Sequence, residues 1–217
     1  MAEKPSFEIE KALLAKNKSL IIAGVDEVGR GCIAGPVVSA AVIFDDYEKL
    51  EKLNLFSEIN DSKKLSPYKR QELFEEIKKV AFAYSIAEVS EAIIDETNIL
   101  KASLRSMEKA TLGLKIEPNY ILIDGNQYTS LKIPQQTVVK GDSKSSTIAA
   151  ASILAKVYRD KLMEDLDSKY PGYGFAIHKG YGTKEHLEVL KILGPCAIHR
   201  RTFKGVKEFF EDELTLF

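Results

Sequence analysis

The feature that most constrains the fold is an apolar run that ends in two adjacent carboxylates. Residues 20–25 read Leu-Ile-Ile-Ala-Gly-Val, Asp26 and Glu27 follow directly, and Gly29-Arg30-Gly31 comes next. Such a run predicts a buried β-strand, so both acids are expected at the end of a rigid element. Neighbouring carboxylates in a cleft repel each other and favour a bound cation. A glycine turn with a guanidinium suits a phosphate. Together these residues indicate phosphodiester chemistry.

The composition is that of an ordinary globular protein. The chain has 217 residues, of which 45% are hydrophobic and 29% are charged, which is enough for one sizeable core. No apolar stretch is long enough to span a membrane or to form a secretory signal, and two cysteines are too few for a disulfide framework. We therefore expect a cytoplasmic protein that acts away from membranes, as a monomer. The net charge of −1 counts mildly against a nucleic-acid partner but is not decisive, because a local cluster of basic residues is compatible with it.

Strand and helix patterns alternate along the chain. The predicted strands cover residues 20–25, 37–44, 80–89, 120–125 and 136–139, and the first two are expected to be antiparallel neighbours. The predicted helices are an amphipathic one near the N-terminus and others at about 66–79, 90–113, 145–170, after Thr183 and at about 205–213. Residues 45–59 are expected to be irregular, and 171–182 to form a loop. The alternation predicts an α/β fold with a mixed sheet.

Four acids follow predicted strands, namely Asp26, Glu27, Asp124 and Asp142. If these strands are neighbours, their ends converge at one edge of the sheet, where open α/β sheets bind ligands. Two divalent ions about 4 Å apart, held by such acids, can activate water and stabilise the leaving oxygen of an in-line displacement. Each acid also has a plain structural interpretation, since Asp-Gly at 124–125 is a common turn and Asp142 can cap a helix. Taken together, they favour a metal site.

These motifs resemble those of type 2 ribonuclease H (ribonuclease HII). The similar blocks are DEVGRG at 26–31, GPVV at 35–38, NDSKKL at 60–65, DG at 124–125, KGDSK at 140–144, AAASILAKVYRD at 149–160, HKGY at 178–181 and HRR at 199–201. The resemblance spans roughly residues 20 to 204, and so many ordered blocks make it far more specific than one short motif.

The resemblance implies a ribonuclease H-like fold, with a mixed sheet flanked by helices and a C-terminal helical extension. It implies an N-terminal helical segment at 1–19, a catalytic core at 20–170 and an extension at 171–217 packed on that core. The implied activity is metal-dependent cleavage of RNA in RNA–DNA hybrids and incision 5′ of single ribonucleotides embedded in duplex DNA. This activity leaves 3′-OH and 5′-phosphate ends and belongs to ribonucleotide excision repair. Mg²⁺ or Mn²⁺ is the implied cofactor, with two ions when substrate is bound.

The resemblance also assigns roles to single residues. Asp26, Glu27, Asp124 and Asp142 would be the catalytic metal ligands. Gly29, Arg30 and Gly31 would recognise the ribonucleotide 2′-OH, the group that distinguishes RNA from DNA, while Tyr181 would pack against the adjacent deoxyribose. Lys63 would contact a phosphate. The further candidates for backbone contacts are Lys144, Arg159 and Lys179.

Two other functions are weighed against this one. A non-catalytic module that binds hybrids is possible, but four intact acids oppose binding to a polyanion. The sister type 3 enzyme would have lysine in place of Arg30 and an additional N-terminal domain. His178, His186 and His199 show no regular metal-ligand spacing with either cysteine, so we expect no structural zinc site. His186 is instead expected on a helix face.

Overall fold

A five-stranded mixed sheet organises the chain in the computed structural model, which describes residues 4–59 and 65–211. In chain order the elements are α1 (Glu8–Lys16), β1 (Ile22–Val28), β2 (Val37–Ile43), α2 (Tyr47–Leu50), α3 (Asn54–Glu58), α4 (Pro67–Val80), β3 (Ala83–Val89), α5 (Glu91–Glu96), α6 (Ile99–Leu112), β4 (Tyr120–Asp124), β5 (Gln135–Val138), a 3₁₀ turn (Gly141–Ser143), α7 (Ser146–Lys169), α8 (Phe175–His178), α9 (Lys184–Leu193) and α10 (Glu208–Glu211).

The strand order is β3-β2-β1-β4-β5. Strands β1, β2 and β3 pair antiparallel, whereas β4 pairs parallel with β1 and with β5. The predicted mixed sheet and the antiparallel pairing of the first two strands are therefore confirmed. Because Val25 lies opposite Ile123, the acids that follow each of them come to the same end of two neighbouring strands.

Helices cover both faces of the sheet. Alternate residues of β2, such as Val38 and Ala40, pack against the small residues of α7, while Ala41 faces the other way with Met107 of α6. Side chains on a strand point alternately to the two faces, so a strand buried on both faces reads as a continuous apolar run. This arrangement explains why β2 is buried along its whole length.

Several helix starts agree with the prediction because their capping residues are present. The Oγ atoms of Ser66, Ser145 and Thr183 accept hydrogen bonds from the backbone N–H groups three residues later, which begins α4, α7 and α9. Phe7, just before α1, packs against Phe44 and Phe56 with ring centroids 5.9 and 4.8 Å apart. The N-terminal helix is thereby joined to the core.

Other boundaries differ from the prediction. The segment 45–59 contains α2 and α3, and α2 begins because an Asp46 carboxylate oxygen accepts from Lys49 N at 2.9 Å. The helical region 90–113 is two helices, because Asn98 has an extended backbone and caps α6. Helix α8 lies inside the predicted loop 171–182. Strand β1 continues to Val28, so Asp26 and Glu27 lie within its last three residues rather than beyond its end.

Two remaining predictions concern termini and membranes. The last helix begins at Glu208 instead of residue 205, and its predicted end near residue 213 lies outside the described residues. Within the described ranges, none of the helices combines the length and the apolar character required to cross a bilayer.

Candidate active site

Three of the four predicted acids line one cleft. Asp26 and Glu27 project from the last residues of β1, and Asp124 ends the neighbouring strand β4. They share a cavity of about 260 Å³ with Gly29-Arg30-Gly31, which we call the GRG turn (residues 29–31), and with side chains from α7 and Tyr181. The parallel pairing of β1 with β4 produces this convergence, as the positions of the acids predicted.

Burial and like charge make this cleft unfavourable for anions. Asp26 is 5% exposed, and its pKa is raised well above the ordinary value by burial and then by the charges of Glu27 and Asp124. Burial also raises the pKa of Glu27, while the guanidinium of Arg30 acts in the opposite direction. Glu27 Oε2 is buried and has no hydrogen-bond partner among the described residues. A cation in this cleft would offset the repulsion between the carboxylates and would give Glu27 Oε2 a partner.

Asp142 is placed differently from the other three acids. It lies half-buried on the 3₁₀ turn and is not among the described residues that line the cleft. The turn is nevertheless tied to the site, because Gly141 N–H donates a 2.6 Å hydrogen bond to Asp124 Oδ1. Within residues 4–59 and 65–211, no three His, Cys, Asp or Glu side chains are already arranged to hold a metal ion. The structure therefore brings three predicted ligands together and leaves Asp142 beside them.

The GRG turn places one cation and one open backbone surface at the cleft. Arg30 Nη1 donates to Glu27 Oε1 at 3.1 Å, so the guanidinium folds back onto a predicted metal ligand. Gly29 has φ +93° and a side chain there would meet Arg159 Nε at 2.3 Å, whereas a Cβ at Gly31 would meet nothing within 4 Å. Gly29 is thus required by the fold, and Gly31 leaves room for a ligand.

The comparisons with known proteins agree with this geometry. The family model described as Ribonuclease HII matches residues 23–206. The chain belongs to the ribonuclease HII family. Ribonuclease HII of Geotalea uraniireducens (strain Rf4) is 51% identical over 211 residues, which cover 97% of this chain and 95% of that protein. Ribonuclease HII of Caldicellulosiruptor bescii is 50% identical over 197 residues, or 91% of this chain and 92% of that protein. The protein is therefore an enzyme, a ribonuclease H that acts as an endonuclease.

Solved structures show the same fold. The crystal structure of the ribonuclease H2 from Pyrococcus horikoshii OT3 has a TM-score of 0.73 and 28% identity, over 88% of this chain and 97% of that one. The structure of Bst-RNase HIII in complex with Mn²⁺ has a TM-score of 0.67 but only 20% identity, over 93% and 73% respectively, and shows the fold alone. The prediction of a ribonuclease H-like fold in the type 2 family is confirmed, and the type 3 alternative is not supported.

Helix α7 contributes site residues that the sequence analysis missed. Ser152 and Lys156 line the cleft beside Tyr181, and Ser152 hydrogen-bonds to Asp26. Lys156 Nζ lies 5.8 Å from the centre of the Tyr181 ring and pairs with Asp160 at 2.7 Å. The positions of Ser152 and Lys156 four residues apart put them on one face of a helix, and that spacing was the available signal.

The predicted substrate-binding residues outside the GRG turn differ in burial and in their contacts. Tyr181 lines the cleft and is 40% exposed, and burial raises the pKa of its hydroxyl. Lys144 is exposed, while Lys63 lies outside the described residues, so their roles stay predictions. Lys179 Nζ is paired with Glu164 at 2.6 Å. The structure does not support a phosphate contact for Arg159, because its side chain is fully buried and bonded to backbone carbonyls.

A buried chain of histidines supports the segment that carries Tyr181. Cys196 N–H donates to His199 Nδ1 at 2.9 Å, the two Nε2 atoms of His199 and His186 are 3.0 Å apart, and His186 Nδ1 lies 2.9 Å from Tyr181 O. These partners fix the tautomers, since a carbonyl only accepts: His186 carries its proton on Nδ1 and His199 on Nε2. His186 lies in α9, as predicted, and burial lowers the pKa of both rings to about 4.

Proposed function

We propose that this ribonuclease HII cleaves RNA in RNA–DNA hybrids and incises duplex DNA on the 5′ side of a single embedded ribonucleotide. The products would carry a 3′-OH and a 5′-phosphate. The observation that carries the proposal is the shared cleft, which Asp26, Glu27 and Asp124 line together with the GRG turn, where Gly31 has open space for a side chain. Acids suited to a metal ion and a turn open to a sugar thus lie within one cavity.

The cleft suits Mg²⁺ or Mn²⁺ as the cofactor, with two ions in the substrate complex. Its donors are carboxylate oxygens, the ligands that these hard cations prefer, and the unpartnered Glu27 Oε2 offers one of them. Asp26, Glu27 and Asp124 would hold the ions, with Asp142 joining them from the 3₁₀ turn. When bound, such ions lower the pKa of water and offset negative charge on the leaving oxygen.

The remaining residues of the cleft would bind and orient the nucleic acid. The backbone at Gly31 is open and can lie against a ribose 2′-OH, the group that DNA lacks. The Tyr181 ring offers an apolar face to the neighbouring sugar. Lys156, next to that ring, supplies a positive charge for a phosphate. We expect the protein to act as a cytoplasmic monomer in ribonucleotide excision repair.

The test is cleavage of a DNA duplex that contains one ribonucleotide, in the presence and absence of Mg²⁺, with both product ends mapped. The matched control is Asp124→Asn, which removes a charge while Oδ1 can still accept from Gly141 N–H. We expect the wild type to incise on the 5′ side and the variant to lose at least about 100-fold in rate. A wild type that shifts the duplex without cutting it would make the protein a binding module, and an equally active variant would refute the ligand assignment.

The same variant makes a second prediction, on stability without metal. Asp124 raises the pKa of Asp26 through like charge, so Asp124→Asn should leave the metal-free protein as stable as the wild type or slightly more stable. The rise in melting temperature on adding Mg²⁺ should shrink in the variant. Thermal unfolding with and without Mg²⁺ measures both effects, and a less stable metal-free variant would contradict the repulsion argument.

A further inference from the structure

Arg159 is a fully buried cation with no role in the chemistry described above. Its Nε donates to Pro36 O at 3.0 Å, Nη2 to Ala34 O at 3.1 Å and Nη1 to Lys179 O at 2.8 Å. The first two acceptors follow the GRG turn, and the third precedes Tyr181 in what we call the tyrosine loop (residues 179–182). One guanidinium from α7 therefore joins the two segments.

Arg200 makes a second set of such contacts. It is also fully buried, and its Nη2, Nη1 and Nε donate to the carbonyl oxygens of Gly29, Arg30 and Gly35 at 2.7, 3.1 and 2.9 Å. Arg200 N–H donates to Ile33 O at 2.9 Å, and Ile33 N–H donates to Gly180 O at the same distance. Arg200 thus holds two carbonyls of the GRG turn, and the hydrogen bond from Ile33 joins the segment that follows the turn to the tyrosine loop.

These two buried guanidiniums carry a large desolvation penalty, so they are not an efficient way to stabilise the fold. In the described parts of the chain, the arginines that form ion pairs are Arg30 and Arg70, so neither buried guanidinium has a carboxylate within ion-pair distance. Both donate mainly to carbonyls, and Arg200 also lies 5.0 Å from the centre of the Phe203 ring. Burial of an unpaired charge is strongly unfavourable unless its hydrogen bonds are well formed. An apolar side chain would avoid that cost but could not fix the positions of six carbonyls. The planar fork of arginine can, because its donors have a rigid geometry.

We propose that Arg159 and Arg200 are positioning residues for ribonucleotide recognition, which hold the GRG turn and the tyrosine loop at one fixed separation. The proposal rests on the proposed function, in which these segments contact the ribonucleotide and the adjacent sugar. A ribonucleotide is then recognised only where both contacts are made at once. Neither arginine touches the substrate, and both act through the carbonyls that they hold.

The first test compares Arg200→Lys and Arg159→Lys with Ile77→Ala, a buried substitution in α4 that destabilises the core away from the cleft. Lysine keeps the charge but loses the fork. We expect both lysine variants to lose about 100-fold in kcat/KM on a duplex with one ribonucleotide, since small displacements are that costly. Ile77→Ala, at equal folded fraction, should cleave within about threefold of the wild type. Lysine variants as active as this control would overturn the proposal.

The second test separates positioning from mere support. Arg200 has no contact with Tyr181 among its described hydrogen bonds, so independent roles predict additive losses. If Arg200 fixes the spacing, the loss in kcat/KM caused by Arg200→Lys should be about tenfold smaller in a Tyr181→Ala background than in the wild type. Gly180→Ala retains both arginine side chains but forces the two segments apart at Ala34 O, the acceptor of Arg159 Nη2, because the new Cβ would lie 2.5 Å from that oxygen. Additive losses, or a folded Gly180→Ala with wild-type activity, would each overturn the proposal.

A measurement on the wild type covers the case in which the variants do not fold. The amides of Ile33 and Arg200 should exchange hydrogen with one common opening free energy, and bound duplex should slow both together. Independent exchange would overturn the proposal. A wild type that cleaves nothing would instead refute the proposed function, and the exchange experiment would still report on the two segments.

Discussion

At the scale of single residues, the two glycines of the GRG turn meet different requirements. Gly29 adopts a backbone conformation that favours glycine and lies against the Arg159 guanidinium, whereas Gly31 has open space where a side chain would be. The open space at Gly31 agrees with the proposal that substrate approaches the backbone there. Substitution of each by alanine should therefore separate stability from activity.

We expect Gly31→Ala to keep the unfolding free energy within about 0.5 kcal/mol of the wild type and to cut cleavage of a single-ribonucleotide duplex by at least about tenfold. Gly29→Ala should lose about 2 kcal/mol or more of stability, because its Cβ collides with Arg159 and its φ is strained. Denaturant unfolding and cleavage rates measure the two effects. Full activity in Gly31→Ala would show that the open space is unrelated to substrate.

Arg30 presents a second residue-scale question, because it pairs with Glu27 at the metal end of the cleft. The Glu27 side chain is buried, but that of Arg30 is half exposed, so solvent screens the pair and its contribution is about 1 kcal/mol. Arg30→Ala should therefore change the Mg²⁺ Kd by no more than about fivefold, towards tighter binding. Cleavage of a duplex with one ribonucleotide should fall far more. Calorimetry and kinetics measure the two quantities, and a loss of Mg²⁺ affinity equal to the loss of activity would assign Arg30 to the metal site instead.

The sequence predicted those residues of the site whose positions follow from strand ends. Asp26, Glu27 and Asp124 each follow an apolar run, and parallel pairing brings such ends together. Ser152 and Lys156 were missed because they reach the cleft from a helix, and only the tertiary packing shows which face of α7 points there. Arg200 was missed for another reason: arginine is usually exposed, so residue type gives no hint of a buried guanidinium.

At the scale of elements, boundaries were predictable where a local hydrogen bond sets them. The caps at Ser66, Ser145 and Thr183 are readable as residue types before an apolar pattern. The break between α5 and α6 was not predictable. The helical spacing of apolar residues continues on both sides of Thr97 and Asn98, although Asn98 caps a new helix. Short helices such as α2 and α8 depend on tertiary contacts, which no local pattern contains.

The start of α7 supports an element-scale prediction, because a residue of α1 completes its cap. Glu10 Oε1 accepts from Ser145 Oγ at 2.6 Å and from Thr147 N at 3.2 Å, and the side chain is fully buried. Glu10→Ala leaves both donors unpaired and should lower the unfolding free energy by about 2 kcal/mol. Glu10→Gln keeps the acceptor and should stay within about 1 kcal/mol. Equal losses in denaturant unfolding would show that packing, not the cap, joins α1 to α7.

At the scale of the whole molecule, two sets of ionisable groups, buried acids and buried histidines, change the stability in opposite directions as the pH falls. Asp26, Glu27 and Glu10 have raised pKa values in the folded protein, so they disfavour folding at neutral pH and do so less as they take up protons. His186 and His199 stay neutral in the folded state. The folded state therefore becomes less stable when the pH is low enough for histidines in the unfolded chain to take up protons. The net pH dependence of the unfolding free energy is the sum of these opposing contributions.

The histidine contribution can be isolated by comparing the wild type with a His186→Gln/His199→Gln double variant. Each ring has a folded pKa of about 4, below the ordinary value of 6.5, so its stabilising contribution is complete above pH 6.5 and is lost as the pH falls towards 4. The slope is at most about 1.4 kcal/mol per pH unit for each histidine. The free energy of unfolding, measured at pH 7, 6, 5 and 4, should therefore fall more steeply for the wild type than for the double variant. Because both proteins keep the acidic cleft, parallel curves would mean that the chain from Cys196 to Tyr181 is not sensitive to acid.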